Sequence, residues 1–152
     1  MAKPLHLDDI SVGDSFESGE YEMTQEAIIA FAQEFDPQPF HTDPDAAQHT
    51  FFGGLAASGW HTAAVTMRLV TEAMPFADGV IGAGGEIHWP TPTRPGDVLR
   101  VISTVEEVVP SRSKPGRARV VVHCRTVDRH GEVKQEFRPN LVLWARGAEV
   151  KG

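Results

Sequence analysis

The chain has 152 residues, of which 41% are hydrophobic and 23% charged, values typical of one globular domain. A chain of this length buries about 70% of its unfolded surface, so its core needs no disulfide or metal. Fourteen lysines and arginines stand against 21 aspartates and glutamates, giving a net charge of -7. We therefore expect no nucleic-acid partner, because phosphate binding needs a basic face.

Cysteine content and the N-terminal sequence exclude further classes. Cys124 is the single cysteine, which rules out an internal disulfide and a cysteine-rich zinc site. Residues 1–9 carry two acids and no apolar stretch, so we expect no signal peptide. No apolar run is long enough to span a bilayer. These features predict one domain over residues 1–152, without a membrane partner, in a reducing cytoplasmic compartment.

The first third of the chain predicts a loop, a strand and a helix. Residues 1–14 favour a loop, and residues 15–23 alternate unevenly, as a first strand could. Thr24 can cap the helix that follows. Its apolar residues recur at helical spacing: Ile28, Phe31, Ala32 and Phe35. Pro37 disfavours the α conformation of the preceding residue, so the helix should end at Asp36.

A stiff connection, a short helix and a long apolar helix are expected next. Prolines fix residues 36–41, and Asp43 should cap a short helix that starts at Pro44. A glycine-broken apolar loop over residues 51–57 leads to the long helix, which Pro75 stops. Its predicted apolar face comprises Trp60, Ala63, Ala64, Met67, Val70 and Met74. Only His61, Arg68 and Glu72 are suited to solvent, so the helix should be buried nearly all round.

The second half of the chain predicts antiparallel strands. Residues 128–131 are typical of a hairpin turn, and an interruption is expected near Pro139. The strands are expected at residues 80–89, 98–109, 118–127 and 133–146. Helices segregated from an antiparallel sheet indicate the α+β class. A sheet wrapped around one long buried helix is the hot-dog fold, which this pattern fits.

Asp36 and His41 are the first candidate catalytic residues. A carboxylate and an imidazole commonly move a proton on and off water near neutral pH. The prolines between them restrict the backbone, and proton transfer slows steeply when its geometry wanders. Read alone, the Asp-Pro-x-Pro segment is more often a turn, and His41 could be a core histidine.

Gly59 at the start of the long helix is the third candidate. The first N–H groups of a helix lack intrahelical partners and carry the positive end of its dipole, so they can hold an oxyanion. A helix-start glycine alone is more often ordinary, and it is the joint occurrence with Asp36 and His41 that favours catalysis. Apolar surroundings would accept an acyl chain. The candidate substrate contacts are Phe40, Ser58, Trp60 and Met67.

Residues 36–43, Asp-Pro-Gln-Pro-Phe-His-Thr-Asp, and residues 52–60, Phe-Gly-Gly-Leu-Ala-Ala-Ser-Gly-Trp, resemble the MaoC-like dehydratase family. Residues 89–97 resemble the family's loop between strands. The resemblance implies a hot-dog dimer, or an assembly of dimers, acting on acyl-CoA or acyl-carrier-protein thioesters without a cofactor. It also implies that Asp36 and His41 position a water that adds to a trans-2-enoyl thioester, while the Gly59 amide holds the thioester oxygen.

The chain departs from the family pattern at two positions. Family hydratases commonly have asparagine where Gln38 stands, and a serine inside the helix where Met67 stands. The longer Gln38 side chain could shift the loop or change what it orients. Met67 removes a polar group from the expected pocket. Both departures bear on the substrate more than on the reaction.

Other readings are weaker on the sequence. The glycines of residues 80–85 lack the third glycine and the helix of a dinucleotide-binding motif, and they favour close backbone approach to the helix or the ligand instead. A metal at His41 and Asp43, with Asp36 or His49 as a further ligand, competes with the capping role of Asp43. The basic residues near Pro115 favour solvated surface, with CoA phosphates as an alternative. These residues are Arg112, Lys114, Arg117 and Arg119.

Two other functions stay open. An acyl-CoA thioesterase on this fold needs a carboxylate facing the ligand, and Glu72, the only acid within the long helix, lies far from Gly59. A non-catalytic acyl-thioester-binding domain is the second, against which the presence of both Asp36 and His41 argues.

Overall fold

The computed structural model describes residues 3–151, with the helices in the first half and the long strands in the second. A single 3₁₀ turn spans Leu7–Asp9. The helices are α1 (Gln25–Phe35), α2 (Pro39–Thr42), α3 (Pro44–Ala47) and α4 (Gly59–Ala73). The strands are β1 (Ser15–Glu17), β2 (Tyr21–Glu22), β3 (Ile81–His88), β4 (Val98–Pro110), β5 (Arg117–Val127) and β6 (Val133–Trp144). No helix in the described range is long and apolar enough to cross a membrane.

The strands form one antiparallel sheet that packs on α4. Their order is β1-β4-β5-β6-β3, and β2 adds a short pairing to β4. α4 packs on β4 and β6. The core includes Val65 and Leu69 of the helix, with Val101, Val105 and Val122 of the sheet. Burying each such aliphatic side chain contributes about 1.5–3 kcal/mol, so the seam stabilises the hot-dog fold that the chain adopts.

The prediction that α4 is buried nearly all round is wrong in the isolated chain. Its buried residues are His61, Thr62, Val65, Thr66, Leu69 and Val70. Trp60 and Met67, expected on the core face, are 61% and 38% exposed, whereas His61, expected outside, is 6% exposed. The reason is that α4 packs against the sheet on one side only, so the helix has a buried and an open face.

Two buried hydroxyl pairs fix α4 against the rest of the fold. Thr62 Oγ1 lies 2.9 Å from Thr93 Oγ1, and Thr66 Oγ1 lies 2.6 Å from Thr126 Oγ1. All four residues are at most 3% exposed. A buried hydroxyl without a partner would cost about 1–3 kcal/mol, so each pair favours one rotation and register of the helix.

Several local predictions need correction. The expected strand over residues 15–23 splits into β1 and β2, and the stiff connection contains the single-turn helix α2. β6 continues through Pro139, where the sequence predicted a break. Gly85 of β3 lies close to another strand and not to the helix, since an alanine Cβ there would lie 2.5 Å from the Arg138 carbonyl oxygen, whereas a Cβ at Gly82 or Gly84 would meet nothing within 4 Å. β3 shifts register here, between Gly82 and Gly85.

Candidate active site

The end of α1 and the start of α2 bring Asp36 and His41 close together. Asp36 is the C-cap of α1, and Pro39 opens α2, which carries His41. His41 is 5% exposed. Its Nδ1 lies 2.6 Å from the carbonyl oxygen of Ala56. A carbonyl can only accept a hydrogen bond, so Nδ1 carries the proton and donates it. The neutral ring therefore presents an unprotonated Nε2.

The unprotonated nitrogen of His41 faces the Asp36 carboxylate. His41 Nε2 lies 3.4 Å from Asp36 Oδ2. Two hydrogen-bond acceptors at this separation do not bond directly while the imidazole is neutral. They are placed so that a molecule with two donors, such as water, can bond to both.

The surroundings of Asp36 keep its carboxyl group ionised. Burial alone would raise the pKa of Asp36, but hydrogen bonds from the Ser58 hydroxyl and the Gln38 side-chain amide lower it below its usual value, and the positive charge of His41 lowers it further whenever that ring is protonated. Gln38 Nε2 donates to Asp36 Oδ1. The glutamine at position 38, where family hydratases commonly have asparagine, thus orients the Asp36 carboxylate.

Gly59 begins α4 under the indole ring of Trp89. Ser58 is the N-cap, and its hydroxyl accepts a hydrogen bond from the Trp60 N–H. An alanine Cβ at position 59 would lie 2.6–2.9 Å from three ring carbons of Trp89. Trp89 Nε1 donates to Gln135 Oε1 at 2.9 Å, which holds the ring in place. The site therefore requires glycine for space.

One cavity of about 540 Å³ collects these groups. Its lining residues are Asp36, His41, Phe51, Phe52, Ala57, Gly59, Trp60, Thr62, Trp89, Pro90, Thr91, Pro92, Thr93 and Lys134. Four of the residues expected from the sequence thus share one space: Asp36, His41, Gly59 and Trp60. Phe40 and Ser58 do not line it. Phe40 packs edge-on against His41 at 4.6 Å between ring centroids, and Ser58 is fully buried.

Met67 lines a separate apolar cavity, about two helical turns beyond Trp60 along α4. This second cavity measures about 80 Å³, and Cys124, Phe137 and Leu141 contribute to its wall. Burial raises the pKa of the Cys124 thiol to about 11. The thiol is therefore protonated and unreactive near neutral pH.

The sequence missed the wall formed by residues 89–93 and the lysine beneath it. Lys134 is 4% exposed, and its Nζ donates to the Pro92 carbonyl oxygen at 3.1 Å and to Glu132 Oε1 at 2.8 Å. Burial would lower the pKa of Lys134, but the carboxylates of Glu132 and Asp97 raise it. The prolines of residues 89–95 were the sequence feature that could have indicated this wall, because proline fixes the backbone φ and cannot donate a hydrogen bond to a neighbouring strand.

Three set-aside groups lie elsewhere. Glu72 is an exposed residue paired with Arg68 at 2.9 Å, and it does not line either cavity. Asp43 caps α3 by accepting the Asp45 and Ala46 N–H groups. In residues 3–151 no group of three or more His, Cys, Asp or Glu could hold a metal. The basic hairpin around Pro115 lies at the far end of β5 and β6 from Lys134.

Comparison with known proteins identifies the family. The model of the MaoC-like domain matches residues 4–126. A crystal structure of the MaoC-like dehydratase from Rhodospirillum rubrum is 53% identical, covers 93% of this chain and 98% of its own, and superposes with a TM-score of 0.91.

Two relatives are similar to most of the chain. The uncharacterized protein YdeM of Bacillus subtilis is 34% identical over 74% of this chain and 81% of its own. The 3-hydroxybutyryl-CoA dehydratase of Methylorubrum extorquens is 28% identical over 82% of this chain and 76% of its own. The chain belongs to the MaoC-like dehydratase family.

Proposed function

We propose that the protein is a hydro-lyase that adds water to a trans-2-enoyl thioester, and in reverse dehydrates a 3-hydroxyacyl thioester. The observation that carries the proposal is the 3.4 Å approach of His41 Nε2 to Asp36 Oδ2 in a cavity that also contains the start of α4. The relative named 3-hydroxybutyryl-CoA dehydratase supports the same reaction class.

The proton inventory of the pair suggests how water is activated. His41 Nε2 and the Asp36 carboxylate each accept one hydrogen bond from the same water, which leaves a lone pair on its oxygen directed at the β-carbon of the substrate. One of the two groups takes the proton as the carbon–oxygen bond forms, and a proton is then delivered to the α-carbon. The Ala56 carbonyl stabilises the imidazolium if His41 takes the proton, because Nδ1–H remains its donor.

The start of α4 suits the charge that develops on the thioester oxygen. Gly59 is the first residue of the helix, so its N–H has no partner within the helix and carries the positive end of the dipole. One such donor lowers a barrier by about 3–4 kcal/mol. The Trp89 ring over Gly59 excludes water from that side, which strengthens the interaction.

The cavities suggest how an acyl group is accommodated. Trp60 and the prolines of residues 89–93 give the larger cavity an apolar wall suited to a short acyl chain. We place Met67 and its small apolar cavity at the far end of longer acyl groups. Ser58 and Phe40 support Asp36 and His41 from behind, with no contact to the cavity in the isolated chain.

We propose further that the active form is a homodimer. β3 is an edge strand whose backbone is open along one side, and most of its residues are exposed. The open face of α4 continues this surface with large apolar side chains. Trp60, Met67, Ile81 and Trp89 are 61%, 38%, 55% and 39% exposed. A second copy, paired through β3, would cover both. The single buried thiol of Cys124 suits a reducing compartment such as the cytoplasm.

A spectrophotometric screen of trans-2-enoyl-CoA thioesters tests the reaction. We expect loss of absorbance by the conjugated double bond without release of free thiol. Thiol release instead would indicate a thioesterase, against which the exposed position of Glu72 argues. Binding without turnover across the series would indicate a non-catalytic module. Sedimentation at assay concentration tests the dimer, which a fully active monomer would refute.

A further inference from the structure

We propose that Arg94 is a positioning residue for the reaction, acting through the backbone of the loop that carries the site; this inference rests on the proposed function. Its guanidinium donates to three carbonyl oxygens of residues 52–55. Nη2 reaches Phe52 at 2.6 Å, and Nη1 reaches Gly54 at 3.0 Å and Leu55 at 3.2 Å. Arg94 does not line the substrate cavity, so it acts on the loop and not on the ligand.

The loop held by Arg94 runs directly into the groups that define the site. The Ala56 carbonyl accepts the His41 Nδ1–H bond, and the Ala56 N–H donates to the Phe40 carbonyl. Ser58 hydrogen-bonds to the Asp36 carboxylate, and Gly59 presents the helix-start N–H. A shift of residues 52–55 therefore moves the orienting partner of the histidine, the partner of the carboxylate and the oxyanion donor together.

Arg94 itself is anchored in a rigid segment. Its N–H donates to Asp97 Oδ2 at 2.7 Å, and the same carboxylate oxygen lies 3.3 Å from the buried Lys134 Nζ. The neighbouring Thr93 carbonyl accepts the Ala57 N–H at 2.8 Å. Arg94 thus holds residues 52–55 of the loop and Thr93 holds Ala57. Both belong to a segment that Lys134 of β6 fixes through Asp97.

The geometry requires a guanidinium and not merely a positive charge. The three carbonyl oxygens accept hydrogen bonds from two different nitrogens of one planar guanidinium. Gly53, which lies between the acceptor residues Phe52 and Gly54, has a φ of +62°. The ammonium of a lysine is a single point on a shorter reach, so it cannot span these acceptors in the same arrangement. Arg94→Lys therefore keeps the positive charge but removes the planar set of donors that binds the three carbonyl oxygens.

The experiment compares Arg94→Lys and Arg94→Ala with Arg100→Lys, a control arginine that pairs with Glu17 on the surface. Steady-state kinetics with an active enoyl-CoA give kcat and KM, and Arg94→Ala is also assayed with dilute guanidinium ion. Amide hydrogen exchange follows Ala56 and Ala57, whose N–H groups are hydrogen-bonded in this loop. Exchange does not depend on turnover, so it separates failure of this inference from failure of the proposed function.

We expect Arg94→Lys to lower kcat by about 100-fold, because the reacting groups lose their alignment while the cavity wall that sets KM stays in place. Exchange should rise at residues 56 and 57 and stay unchanged in the β4–β5 core. Dilute guanidinium ion should raise the kcat of Arg94→Ala about tenfold. Exchange at Ala56 and Ala57 equal to that of Arg100→Lys would overturn the inference. Loss of protection throughout the sheet would overturn it too, by assigning Arg94 a general role in stability.

Discussion

Replacement of Gly59 by alanine tests the packing of Trp89 over the start of α4. The new Cβ would lie 2.6–2.9 Å from three carbons of the indole, where about 3.5–4.0 Å is an ordinary contact. The ring must retreat by about 1 Å, and overpacking of this kind costs about 1–3 kcal/mol. Retreat also stretches the 2.9 Å bond to Gln135, worth about 1 kcal/mol. Alanine recovers about 0.5–1 kcal/mol of helix propensity.

The sum predicts that Gly59→Ala lowers stability by about 1–3 kcal/mol. For a chain of this size each kcal/mol corresponds to about 2–4 °C in Tm. Trp89→Ala removes the colliding ring, so in that background Gly59→Ala should cost nothing or stabilise slightly. The coupling between the two sites should be about 1–3 kcal/mol.

Thermal melts of the four proteins at one fixed concentration measure this coupling, since the Tm of the proposed dimer would depend on concentration. Parallel assays of kcat/KM should show that Gly59→Ala loses activity, because its Cβ and the displaced ring narrow the cavity at the proposed oxyanion site. Equal costs of Gly59→Ala with and without the Trp89 ring would refute the reasoning, as would a Tm at or above that of the wild type.

The remaining predictions use the same methods. Asp36→Asn and His41→Ala should each lower kcat/KM by about 10²–10⁴-fold with the fold retained, measured by enoyl absorbance and circular dichroism, and unchanged turnover would reject their roles. Cys124, 1% exposed with its pKa raised by burial to about 11, should resist iodoacetamide in the native protein and react fully in denaturant; mass spectrometry of timed samples decides. Lys134→Met should cost about 3–5 kcal/mol at pH 7, because it leaves the carboxylates of Asp97 and Asp128, whose side chains are 20% and 9% exposed, without their cation. Burial would raise the pKa of Asp128, but hydrogen bonds from the Glu132 and His130 N–H groups and the charge of Lys134 lower it below its usual value. The stability that ionised Asp128 contributes is therefore lost as the pH falls through that lowered pKa. The difference in stability between wild type and Lys134→Met should thus narrow in melts below about pH 4.

Local chemistry made much of the site predictable from sequence. Thr24, Asp43 and Ser58 cap their helices as their types favour, and Pro37 ends α1 at the residue that carries the carboxylate. The Asp36–His41 approach follows from that stiff connection.

Long-range packing made the rest unpredictable. The sequence contains no sign that Trp89 lies on Gly59, because the contact depends on how β3 leaves the sheet. The buried face of α4 differs from the predicted one because Thr62 and Thr66 pair with hydroxyls of residues far away in the chain. Hydrophobic periodicity counts threonine as polar, so it does not predict that these residues are buried. It also predicts that Trp60 and Met67 are buried, whereas their side chains are exposed in the single chain.

The contacts between Arg94 and the loop at residues 52–55 join positions 39–42 apart in the chain, and Lys134 reaches Pro92 across another 42. Synthesis on the ribosome proceeds from the N-terminus, so Asp36, His41 and Gly59 emerge long before their supports. A nascent polypeptide that has not reached Lys134 contains every proposed reacting atom but lacks the scaffold that aligns them. Alignment of the candidate site is thus a late event in biogenesis, and it is complete only when the sheet closes.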